Sequence, residues 1–163
     1  MRRSLAIATL TASAIATPVI AKDSLGVFES WGAFRDADIS RCYAIAKPAQ
    51  INGRPRYNAY ASIGWWPKRQ VRAQVHFRLS RPAADGGEIS LMVGNRRFTL
   101  TGGNGDAWAK TKKDDAAIIA AIRSARSMSI RARSKKGGRI TDRYTLPGAA
   151  TAMDAAALAC ARR

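Results

Sequence analysis

Polar and apolar positions in the central part of the chain alternate with a period of two. Val71, Ala73, Val75, Phe77 and Leu79 alternate with Arg72, Gln74, His76, Arg78 and Ser80. That is the pattern of a strand with one face in a core and the other in water. Arg81 to Gly87 follows as a loop by composition. Ile89 to Val93 and Arg96 to Thr101 then flank Gly94-Asn95, a pair that suits a tight hairpin because both residues tolerate positive φ. Thr101 to Gly105 reads as the turn closing that unit. Met128, Ile130 and Ala132 alternate with Ser129, Arg131 and Arg133, and the chain returns through Ile140 to Leu146 after Lys135-Lys136-Gly137-Gly138. This predicts a second hairpin. Nearer the start, Ser30 to Arg35, Arg41 to Ala46 and Tyr57 to Trp65 read as short strands.

Two segments break the period. Asp114-Asp115 precede a run of Ala and Ile that ends in Arg123 and Arg126. Acids early and bases late complement the helix dipole. The spacing predicts a helix over residues 114–125, with Ile118, Ile119 and Ile122 toward the sheet. Pro147-Gly148 ends the second hairpin, and Ala149 to Ala161 predicts an Ala-rich C-terminal helix. Helices do not alternate with strands, which argues against a parallel α/β fold. The expected fold class is mainly β: a small antiparallel β-sandwich of immunoglobulin-like architecture, with two short helices, one of them C-terminal.

The N-terminus bears on compartment. Met1-Arg2-Arg3 is followed by Leu5 to Ile20, which holds no charged residue, and by Val19-Ile20-Ala21 before Lys22. Charge, apolar run and small residues in that order describe a secretory signal peptide over residues 1–21. The run is shorter than the roughly 20 residues that span a bilayer core. An uncut anchor or a buried core helix is the alternative. No transmembrane segment is expected in the mature chain. Residues 22–163 are expected to form a single β-rich domain that is periplasmic or secreted.

Export changes the reading of the two cysteines. Cys42 and Cys160 have one intramolecular pairing, and an oxidising compartment favours it. Two free buried thiols are the alternative.

The chain carries 28 Lys and Arg against 11 Asp and Glu, a net charge of +17. Such a field attracts polyanions. Nucleic acid is the usual partner of a basic chain, but export argues against it, and no nucleic-acid partner is expected. The anions outside the cytoplasm are lipid, lipopolysaccharide and other envelope glycans, and an envelope protein is a further candidate partner. The same charge would also serve solubility alone. Arg72 and Arg78 are expected to share a strand face. Arg131 and Arg133 share another, with Arg139 and Arg143 opposite them across the second hairpin. Like charges facing one another across strands are unfavourable unless solvated or neutralised, and an anionic partner would relieve them. Trp65-Trp66-Pro67-Lys68-Arg69 adds aromatic surface beside cations.

Trp31-Gly32-Ala33-Phe34 and Cys42-Tyr43-Ala44-Ile45 open the mature region. Leu146-Pro147-Gly148-Ala149-Ala150-Thr151-Ala152-Met153-Asp154 and Cys160 close it. With the leader and the hairpins, these resemble the invasion-associated locus B family of exported bacterial proteins. The resemblance covers most of residues 24–161. It implies a β-sandwich-like envelope protein with no established enzymatic chemistry and, for some members, a role in host-cell invasion.

Candidate chemistry is sparse, and no catalytic residue, cofactor or metal site is expected. His76 is the only histidine and reads as a surface residue between Arg72 and Arg78. The acids fall mostly at turns or a helix start, where Asp is favoured for backbone reasons. Asp36 and Asp38 are too few for a calcium site. Gly102-Gly103-Asn104-Gly105 lacks the Lys-Ser/Thr ending and the following helix of a phosphate loop. A hydrolase acting on envelope polymers is the alternative function. It requires two acids, or His76 and an acid, to converge in a cleft.

Overall fold

The computed structural model describes residues 22–161. The signal peptide read over residues 1–21 lies outside them. Eleven strands are present among the described residues: β1 (Asp23–Phe28), β2 (Trp31–Asp36), β3 (Arg41–Ala46), β4 (Gln50–Ile51), β5 (Tyr60–Trp66), β6 (Val71–Arg78), β7 (Ile89–Val93), β8 (Arg96–Gly103), β9 (Asp106–Ala109), β10 (Ser127–Arg133) and β11 (Arg139–Thr145). Two helices join them, α1 (Lys112–Ser124) and α2 (Ala149–Ala161). All the strands belong to one antiparallel sheet in the order β1-β2-β3-β5-β6-β9-β8-β7-β10-β11-β4.

The fold class is mainly β, with two short helices, one of them C-terminal. Its two layers come from one open sheet curled over itself rather than from two separate sheets. Contacts between distant strands show the curl. Trp31 Nε1 on β2 donates to the Thr145 carbonyl on β11 at 3.0 Å, and the Ser30 and Thr145 hydroxyls are 2.8 Å apart. Just past β6, the Ser80 N–H and hydroxyl donate to the Asp142 carboxylate in the middle of β11, at 2.8 and 2.6 Å.

Register makes each face a set of rows. On the inner face Ala33, Ala44, Ile63 and Val75 form one row, and Ala46, Ala61, Phe77 and Ala107 another. In the other half Ile89, Ala132 and Ile140 align, as do Leu91, Ile130 and Asp142. These residues join a single hydrophobic cluster apart from Asp142, which is buried among them. α2 lies against β1, β2, β3 and β5, α1 lies mainly against β6, and the two helices touch. α2 buries Ala149, Ala152, Met153 and Ala156. The disulfide Cys42–Cys160 ties its last turn to β3, with the Cα atoms 5.8 Å apart.

Local chemistry accounts for several boundaries. α1 begins before Asp114 because the Thr111 side chain caps it, accepting from the Asp114 N–H at 3.1 Å. Gly94 takes φ 57° at the start of the β7–β8 turn while Asn95 does not have positive φ, the requirement of a II′-type hairpin. Asn104-Gly105, expected to close a unit, instead links β8 to β9, with φ of 51° and 99°. Both central residues in the left-handed region make a I′-type turn.

One irregularity reshapes the clearest strand. Ile63 opposes Val75 and Gly64 opposes Gln74, but Trp66 opposes Val71. Arg72 and Ala73 therefore face Trp65 alone, a bulge in which Ala73 sits at φ 57°. The expected alternation over residues 71–79 holds only from Gln74 onward. Beyond the end of β9 the freed Val75 N–H donates to Asp115 of α1 at 2.8 Å.

Candidate arginine face and its aromatic neighbour

The outer face of β8, β7, β10 and β11 is cationic. Arg97, Met92, Ser129 and Arg143 form one row across it, and Thr99, Ser90, Arg131 and Thr141 the next. Arg133 and Arg139 stand directly opposite one another. Arg97, Arg131, Arg133, Arg139 and Arg143 are all exposed. The only acid that approaches this group among the described residues is Glu88, 4.0 Å from Arg97. The side chains of Arg131, Arg133, Arg139 and Arg143 make no ion pair or hydrogen bond among the described residues. A shallow depression of about 410 Å³ is lined by Ser90, Arg97, Arg131, Arg133 and Arg139.

Four of the six arginines singled out by sequence thus lie together, and Arg97 joins them. The other two are elsewhere. The bulge parts Arg72 from Arg78: Arg72 lines an 830 Å³ cleft with Trp65, Ala157 and Cys160. Arg78 is engaged by the Asp106 carboxylate and stacks over Tyr57, with its guanidinium carbon 4.0 Å from the ring centre.

His76 is not the surface residue its alternation suggests. Its Nε2 lies 3.0 Å from Asp106 Oδ1. Trp108 stacks on its ring at 5.0 Å between centroids, and Tyr60 meets it edge-on at 5.5 Å. Burial holds the imidazole below its ordinary pKa, against the opposing pull of the Asp106 carboxylate. The neutral ring then donates from Nε2, since a carboxylate only accepts. Ser62 stands directly opposite His76 on β5. It is buried, and its hydroxyl finds no partner. Among the described residues Ser62 and His76 share no hydrogen bond, the contact by which a base activates a hydroxyl. Among the described residues no three of His, Cys, Asp or Glu gather where a metal could be held.

The sheet on the His76 side is aromatic. Phe34, Tyr43 and Gly64 are aligned across β2, β3 and β5. Phe34 and Tyr43 stack at 5.7 Å and 29°. Arg41 places its guanidinium carbon 4.3 Å from the Tyr43 ring centre and 4.8 Å from that of Trp66. Trp65 and Trp66 separate, as neighbours on a strand must: Trp65 packs against the core, and Trp66 lies outward over Gly64. Sequence reasoning did not identify Asp106, Tyr60 and Trp108 as parts of a group. The Asn104-Gly105 turn signals only the pairing of β9 with β8; the long-range pairing of β9 with β6 has no local signal.

No helix among the described residues is long and apolar enough to cross a membrane. No family model, no curated protein and no solved structure matches the chain.

Proposed function

We propose that this chain acts in the periplasm, or after secretion, as a non-enzymatic accessory domain of the invasion-associated locus B type. In this reading it docks its arginine face on an anionic component of the cell envelope, whether lipid, lipopolysaccharide, glycan or an envelope protein. One observation carries the reading: four exposed arginines without a counter-ion among the described residues share a sheet face, two of them in direct register. That arrangement costs repulsion in the free protein and repays it when an anion arrives. Guanidinium forks suit phosphate and carboxylate alike.

The test is binding of the oxidised protein to anionic vesicles and to lipopolysaccharide across a salt titration. Affinity should fall as salt rises. Each arginine near an anionic surface contributes about 1 kcal/mol, so Arg131→Ser with Arg133→Ser should weaken binding roughly 30-fold. Binding that ignores both salt and these substitutions dismisses the proposal.

The His76–Asp106 pair favours a second reading, a hydrolase of envelope polymers. It predicts release of soluble fragments from purified envelope glycan that His76→Ala abolishes. No release from the wild-type protein removes it.

A further inference from the structure

We propose that the aromatic part of the outer sheet face, across β2, β3, β5, β6 and β9, is a platform for a neutral oligosaccharide of pyranose rings. It is separate from the arginine face, so either proposal can fail alone.

The argument starts with what the fold needs. The core is built from the inner rows and the helices. The outer face could be covered by any polar side chain, yet here it holds Phe34, Trp66, Tyr60 and His76, all half-buried, and the exposed Trp108, around a buried Tyr43. Trp108 is 37% exposed. These rings pack on one another, and an aromatic surface that stays partly exposed after such packing is a candidate for contact with something else.

The rings are also arranged. A Cβ on Gly64 would stand 2.6 Å from the Trp66 ring, and one on Gly32 would stand 2.7 Å from the Phe34 ring. Both glycines are therefore the floor on which a ring reclines against the sheet. Arg41 lies over the Trp66 ring and Tyr43 stacks on Phe34, so Trp108 is the exposed ring on which the C–H face of a sugar can lie. His76 is fixed between Trp108 and Tyr60. Much of the ordering entropy is thus already spent before any ligand binds.

Polar groups sit between the rings. Asp106 accepts from both His76 and Arg78. Arg41 is half-buried between Tyr43 and Trp66, and its Nε has no partner. Planar donors and a carboxylate beside an aromatic ring match the paired hydroxyls of a sugar.

Charge chooses between occupants. This region carries Arg41 and Arg78 against Asp36 and Asp106, with His76 kept neutral. Asp36 and Asp106 stand in direct register with Arg41 and Arg78. These four charges balance on the outer face, with Arg35 and Lys68 bordering only its Arg41 end, on a chain whose net charge is +17. Single-stranded nucleic acid also stacks on aromatic rings, but along a positive groove that follows its phosphates. A balanced patch with a central carboxylate fits an uncharged polyhydroxylated chain better.

The experiment is isothermal titration of the oxidised protein with two neutral hexasaccharides, one of glucose and one of N-acetylglucosamine, and with oligothymidylate. At least one sugar should bind in the micromolar to millimolar range, indifferent to high salt and to Arg131→Ser with Arg133→Ser. Trp108→Ala should weaken it roughly tenfold, the loss of one stacking contact. Tyr60→Ala should weaken it too, and Trp108→Phe should retain most of the affinity. Far-ultraviolet circular dichroism and an intact disulfide report that each variant is folded. The proposal is overturned if neither sugar binds, if Trp108→Ala binds as well as wild type, or if salt abolishes the binding. Oligothymidylate binding that depends on Trp108 in place of sugar binding also overturns it.

Discussion

Removing the disulfide, as Cys42→Ala with Cys160→Ala, should cost about a third or more of the protein's stability. The bridge closes a loop of 118 residues. In the chain-entropy treatment such a loop removes about 16 cal/mol/K from the unfolded chain, or about 5 kcal/mol at 25 °C. Little else anchors the end of α2. Its buried residues stop at Ala156. Its ion pair, Arg123 with Asp154 at 2.5 Å, is exposed and of the kind that contributes at most about 1 kcal/mol. A loss of about 5 kcal/mol compares with total stabilities of about 5–15 kcal/mol. The assay is urea unfolding of the oxidised protein and the double variant. With a slope of about 2 kcal/mol/M the midpoint should fall by about 2.5 M. Hydrogen exchange should speed up first in residues 157–161, where the helix loses its tether. A midpoint shift under about 0.5 M would refute the reasoning, because it would mean that the unfolded chain gains little freedom when the bridge is cut.

Asp142 should give an unusual pH dependence. Burial raises its pKa, outweighing the two Ser80 hydrogen bonds that favour the carboxylate. The folded state then holds the proton more tightly than the unfolded chain, so this group's stabilisation is greatest at low pH and is lost as pH rises above the ordinary carboxylate value. Relative to Asp142→Asn, the wild type should lose stability as pH rises above the ordinary carboxylate value of about 4; a relative gain in urea titrations would reverse the assigned cause. Gly64→Ala should displace the Trp66 ring and cost about 1 kcal/mol, with a changed near-ultraviolet tryptophan spectrum; an unchanged spectrum shows that the ring does not rest on that glycine. Arg139→Ser relieves the repulsion with Arg133 and should stabilise by about 0.2–1 kcal/mol in low salt. That gain should vanish at about 1 M salt, where screening acts within about 3 Å; destabilisation at low salt contradicts the face-to-face pairing.

Part of this molecule was legible along the chain, because periodicity is a local property. The alternation in β10 and β11, the Gly94-Asn95 turn and the Ala-rich run of α2 each declare themselves within a few residues. They also placed Arg131, Arg133, Arg139 and Arg143 on one face, since a hairpin fixes its own register. β1, β4 and β9 were not recognised as strands. β4 has two residues and β9 four, too few for a period to show. The expectation that Arg72 and Arg78 share a face failed at one residue, Ala73. A bulge depends on how β5 and β6 pair, and Ala carries no sign of it.

Local patterning and simple counting specify the fold class, both helices and the one pairing open to two cysteines. Long-range packing sets the rest: one sheet curls to make both layers, and Asp106, His76, Trp108 and Tyr60 meet. Those residues come from three strands, and Tyr60 and Trp108 lie 48 positions apart. Their meeting depends on cross-strand register and strand order, which are set by packing across the whole sheet rather than by any local run of residues.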